Sequence, residues 1–161
     1  MRRVPFVLAL GNPLRGDDGA GTRAIQLLEA RGLAGRAHLF HELRAVPEMA
    51  EEVAEASRLI VIDVRTDLPA GRIFERPLQA GDDAARSTVT YGVSPDALLS
   101  LADSLYGVDV PGFAVTVGGA SFGPGSGLSL EVEEAIPALC DRVELLVDAG
   151  LPRPRPLPAP R

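Results

Sequence analysis

Val4-Pro5-Phe6-Val7-Leu8-Ala9-Leu10 runs directly into Gly11-Asn12-Pro13-Leu14-Arg15-Gly16-Asp17-Asp18-Gly19-Ala20-Gly21, and the join between the two decides the fold. The first stretch is short, apolar, partly β-branched and closed by a glycine, the pattern of a fully buried strand. From Gly19 to about Ala30 the residues Ala20, Ala24, Leu27 and Leu28 recur at helical spacing, and Gly32 supplies a stop. Strand, glycine-rich loop and helix make the opening of an α/β unit. Glycines in such a loop commonly let backbone N–H groups approach a phosphate at the helix N-terminus. Asp17 and Asp18 would repel that anion, so the loop reads as a place for a cation or for acid–base chemistry.

The same alternation continues along the chain. Ala37 to Leu43 reads as a second strand, and Pro47 opens a helical segment through Ala56 that turns Met49, Val53 and Ala54 or Ala56 inward. Leu59-Ile60-Val61-Ile62-Asp63 is the clearest central strand, with Asp63 at its carboxyl end. Gly71 to Leu78 alternates in the manner of an edge strand or one with a solvated face, and Gly81 to Thr90 reads as polar loop. Ser94-Pro95 gives an N-cap and a first-turn proline to a helix with Leu98, Leu101, Ala102 and Leu105 on its apolar face. Phe113 to Val117 is a further strand, followed by the glycine-rich Gly118 to Gly127. Ser129 then caps a last helix with a stripe of Val132, Ile136, Leu139, Val143 and Leu146 or Val147, in which Pro137 predicts a kink or a late start. Strands alternating with helices predict an α/β sandwich with a mostly parallel sheet and helices on both faces.

A chain of 161 residues suits one such domain over residues 1–150, with an extended, poorly packed Pro/Arg-rich tail over 151–161. The net charge of -6 argues against broad attraction to nucleic acid or to an anionic membrane. No apolar run is long enough for membrane insertion, and the first ten residues are too short in their apolar part for a signal peptide, so a cytoplasmic location is expected. Cys140 is the only cysteine, which excludes an internal disulfide and a cysteine-cluster zinc site; its neighbours at helical spacing mark it as a small buried hydrophobe.

No lysine followed by serine or threonine closes the glycine loop, its glycine spacing does not match a dinucleotide site, and no Gly-x-Ser-x-Gly elbow is present. Carboxylates remain. In α/β sheets ligands gather beyond the carboxyl ends of strands, which would bring Asp17, Asp18 and Asp63 towards one crevice. Asp17 reads as a cap of the first helix, a role worth about 1 kcal/mol. Asp18 admits either a cap or a ligand role, and Asp63 alone would be a turn residue but gains a ligand role from a second carboxylate nearby. His41, near the end of the second strand, reads first as a hydrogen-bonded structural histidine and second as a metal ligand; His38 reads as ordinary surface or core.

The loop Gly11–Gly21 resembles the opening motif of the NiFe-hydrogenase maturation proteases, endopeptidases that trim the carboxyl-terminal extension from the nickel-containing large subunit. The resemblance extends through Leu59–Asp63, the helix beginning near Ser94 and, less specifically, Gly118 to Pro137. It implies a three-layer, phosphorylase/hydrolase-like α/β sandwich with a five-stranded sheet, and a nickel-recognition site of two acidic residues and one histidine. Asp18 and Asp63 take the acidic positions, as metal and catalytic residues. At the histidine position, within Thr88-Val89-Thr90-Tyr91-Gly92-Val93, stands Tyr91. Either Tyr91 binds through oxygen, although a phenol with a pKa near 10 must be acidified first, or His41 restores a nitrogen donor. The implied partner is the large-subunit precursor, which supplies the nickel itself. Two further readings stand beside this one: a noncatalytic factor binding precursor or nickel, and a metal-assisted hydrolase acting on another substrate.

Overall fold

The computed structural model describes residues 2–81, 92–150 and the backbone of 155–156. In chain order the main elements are β1 (Phe6–Leu10), α1 (Ala20–Ala30), β2 (His38–Glu42), α2 (Ala50–Glu55), β3 (Leu59–Arg65), β4 (Ile73–Pro77), α3 (Pro95–Tyr106), β5 (Val108–Asp109), β6 (Gly112–Gly118), α4 (Leu130–Asp148) and β7 (Arg155–Pro156). Five strands form one sheet in the order β2-β1-β3-β6-β4. Neighbours are parallel except for β4, which lies antiparallel against β6 at the edge. The expected mostly parallel, five-stranded α/β sandwich is the fold observed.

Apolar runs without polar alternation need cover on both sides, and the helices supply it. Val7, Ala9, Ile60, Ile62, Val115 and Val117 pack with α1 and α4 in one buried cluster. Phe6, Leu8, Leu10, Leu59, Val61 and Ala114 pack with α2 and α3 in the other. From β1 the chain passes to β2 on one side, then returns across β1 to β3 on the other. The reversal puts a topological switch point between the carboxyl ends of β1 and β3, where open α/β sheets form their crevices.

Several local expectations change. The buried side of α3 comprises Ala97, Leu98, Leu99, Ser100 and Ala102, whereas Leu105 is 63% exposed. Leu99 therefore replaces Leu105 in the packed face, because it reaches Leu78 and Gly112 at the sheet edge while Leu105 lies at the helix end, beside the Gly107 turn. Helix α4 starts at Leu130 despite Pro137 in its interior, so no late start occurs. Two tail residues pair with β5 in a small antiparallel ladder. The expected loop at 82–90 and the rest of the tail lie outside the described residues. Among the described residues no helix is long and apolar enough to cross a membrane.

Cys140 is fully buried, and its Sγ–H lies 3.5 Å from the Ala24 carbonyl. Burial pushes the thiol up to about 11, the opposite of an activated nucleophile. At the carboxyl end of the same helix the buried Arg58, just before β3, donates through Nη1 to the carbonyls of Leu146, Val147 and Ala149 at 2.7, 3.3 and 2.7 Å. These are acceptors that a helix C-terminus leaves unpaired.

Ser94 caps α3 as expected, its Oγ accepting from the Ala97 N–H at 3.1 Å. Ser94→Ala is expected to lower unfolding free energy by about 1 kcal/mol in urea titration; a change below about 0.3 kcal/mol would show that water replaces the cap.

Candidate functional site

The loop after β1 folds back on itself around Asp18. Gly11 has φ +129°, and a Cβ there would stand 2.2 Å from the Asp18 carbonyl oxygen, so both conformation and space require glycine. The Asn12 N–H donates to Asp18 Oδ2 at 2.8 Å, and Asn12 Oδ1 accepts from Leu14 N at 2.9 Å. Gly16 to Gly19 then make a single 3₁₀ turn leading into α1. Asp18 is left half-buried in this turn, beyond the carboxyl end of β1.

Asp17 does something other than cap the first helix. Neither the 3₁₀ turn nor α1 has a side-chain cap. Instead the Asp17 carboxylate, 0% exposed, accepts from the N–H groups of Ala120, Ser121 and Ser129 at 2.7, 3.0 and 2.6 Å and from Ser129 Oγ at 2.9 Å. The reason for the correction is competition. Four donors of the 120–129 segment converge on the one carboxylate, where an N-cap side chain accepts from only one or two N–H groups of its helix. Burial pushes the Asp17 carboxyl up, but the hydrogen bonds from Ser129, Ala120 and Ser121 outweigh it and hold the group below its ordinary value. Ser129 occupies the N-cap position of α4 without a side-chain cap bond, its hydroxyl being spent on Asp17.

Asp63 lies on β3 one step beyond the Ala9–Ile62 pair, level with Thr116 of β6. Its Oδ1 accepts from the Val64 N–H at 2.8 Å. Burial raises its pKa to about 6; the Val64 N–H opposes this, and the charge of Asp18 adds to it. Two carboxylates separated by 45 residues in sequence therefore act on one another across the switch point. Asp63 therefore ionises reluctantly, and a positive charge beside it would favour its carboxylate.

His41 does not join them. Its Nε2 stands 3.0 Å from the Gly11 carbonyl, a contact in which the ring N–H donates. Along β2 it shares the face of Leu39, which packs against the α1/α4 cluster. Asp63 alternates with Ile62, a member of that same cluster, and so projects from the opposite face. His41 is thus a loop-bracing histidine, and His38 is exposed. Tyr91 lies outside the described residues. Among the described residues no three His, Cys, Asp or Glu side chains come together to hold a metal ion. The element that sequence reasoning missed is the 119–129 segment as support for the first loop; its dense glycines were the available signal. There the Arg15–Pro124 bridge and the Gly125 N–H on the Leu14 carbonyl at 2.9 Å continue the contact.

No protein-family model and no curated protein matches the sequence. Solved structures do. The chain is similar to a hydrogenase 2 maturation peptidase from Thaumarchaeota archaeon SCGC_AB-539-E09, with 28% identity and a TM-score of 0.64 over 89% of this chain and 98% of that one. It is similar in fold to the hydrogenase maturating endopeptidase HybD from E. coli (22% identity, TM-score 0.69, 94% and 98% covered). The same holds for the [NiFe] hydrogenase maturation protease HybD from Thermococcus kodakarensis (20% identity, TM-score 0.63, 90% and 99% covered). Each of these likenesses takes in most of both chains, so the shared feature is the whole sandwich and not one motif.

The raised Asp63 pKa has a sign in stability. Between the ordinary value of 3.8 and about 6 the folded chain keeps a proton that the unfolded chain has lost, so stability falls as pH rises through that window and stays lower above it. Asp63→Asn keeps an Oδ1 acceptor for Val64. It is expected to exceed wild type by roughly 1–3 kcal/mol at pH 8 and by far less at pH 4 in chemical denaturation. An equal difference at both pH values would show that Asp63 is not held protonated.

Proposed function

We infer that this chain is a NiFe-hydrogenase maturation protease, an endopeptidase that removes the carboxyl-terminal extension of a nickel-loaded large-subunit precursor in the cytoplasm. The observation that carries this reading is the electrostatic pairing of Asp18 and Asp63 at the switch point of a fold shared with maturation endopeptidases along nearly its whole length. The nickel belongs to the substrate. Its approach would offset both the burial of Asp63 and the repulsion from Asp18, driving the Asp63 proton off and leaving two oxygen donors for the ion.

With the ion held by these carboxylates, the adjoining peptide lies beside a cation that can polarise its carbonyl or acidify a water. For the third donor, His41 is engaged with Gly11 and projects from the other face of the sheet. Tyr91 is accordingly our choice, its phenol acidified by the ion. The negative net charge suits a protein partner and not nucleic acid.

Purified protein incubated with nickel-loaded precursor is expected to release the tail, followed by mass spectrometry. Asp18→Asn and Asp63→Asn should each slow release by roughly a hundredfold or more, and Tyr91→Phe should slow it as well, while His41→Ala leaves nickel dependence in place. Wild-type protein that binds the precursor without cutting it, where a related protease cuts its own, would make this chain a noncatalytic factor. Protein that neither binds nor cuts would point to a different substrate.

A further inference from the structure

We propose that Asp17 is a positioning residue of this site, holding Asp18 in the crevice by latching the first loop onto residues 120–129. The proposal rests on the reading of Asp18 as a site residue. Asp18 itself is weakly held: among the described residues its side chain accepts only the Asn12 N–H, and its own N–H reaches the Arg15 carbonyl at 3.1 Å. What fixes its direction is its neighbour. In a 3₁₀ turn successive side chains diverge by about 120°, so a residue clamped inward sets the bearing of the next one outward.

The clamp on Asp17 is close to complete. Its carboxylate takes four donors, from Ala120, Ser121 and twice from Ser129, and its N–H donates to the Ser121 carbonyl at 2.7 Å. Gly16 makes the approach possible: at φ +56°, it leaves no room for a Cβ, which would meet the Ser121 carbonyl at 2.4 Å. Every partner of the carboxylate is a donor, on both of its oxygens. Asparagine has the same shape but turns an NH₂ group towards donors whichever way it is placed, so the charge and not the size of Asp17 is required.

The test uses the full chain. The Asn12 amide reports the Asp18 contact directly, by NMR shift and hydrogen exchange, and steady-state processing of nickel-loaded precursor reports the consequence. Asp17→Asn is expected to speed Asn12 exchange and to lower kcat roughly tenfold or more with KM little changed. Ser129→Ala, which removes one O–H donor and keeps the backbone ones, should shift both readouts the same way by less. A folded Asp17→Asn protein with an unchanged Asn12 amide, or a kcat loss matching only a reduced folded fraction, overturns the proposal. Should Asp17→Asn fail to fold, Ser129→Ala decides: no change in either readout overturns it. If wild-type protein cuts no precursor, the protease reading fails, while the Asn12 amide still judges the latch.

Discussion

A carboxylate removed from water is costly unless hydrogen bonds replace the solvent, and among the described residues no arginine stands in for that solvent at Asp17. Four donors from the 120–129 segment and the first turn of α4 meet the requirement. This one group joins the loop that follows the first strand to the loop that follows β6. Gly16 is tight because the backbone must come close enough to Ser121 for the joint to form, while Gly11 is tight against Asp18. The mouth of the crevice takes its shape from the result.

Asp17 and Asp18 are adjacent and chemically identical, yet their surroundings divide them. Asp17 is satisfied and held charged; it has no capacity left for a ligand. Among the described residues Asp18 keeps one side-chain hydrogen bond, it is half-buried, and its charge opposes the ionisation of Asp63. A structural carboxylate is one whose donors are all internal. On the proposed reading, Asp18 and Asp63 are left short of them, and a cation would fill that shortage.

The apolar runs at Phe6–Leu10 and Leu59–Ile62 made the central strands legible, and Ser94-Pro95 marked its helix start, because these signals are local. The convergence of Asp18 and Asp63 was legible too, since strand ends in a parallel sheet share one side. Asp17 was not. Its donors lie more than 100 residues away in sequence, and a local reading offered only the helix beside it. His41 is the hydrogen-bonded histidine its sequence context favoured, but the face it occupies was not legible: that depends on the register of β2 with β1, which the spacing of apolar residues within one short strand does not fix. Leu105 fits a helical stripe equally well, but the stripe is cut off by where the sheet ends.

Arg58 gives the last helix a second tether. It sits just before β3, the strand that carries Asp63, and grips the final carbonyls of the helix whose first turn holds Asp17. The loop after β1 and the start of β3 are thus tied to opposite ends of α4. The consequence concerns order of synthesis: Asp18 and Asp63 leave the ribosome early, but neither brace exists until residues 129 to 149 have followed. A nascent chain therefore carries both carboxylates before either tether can form.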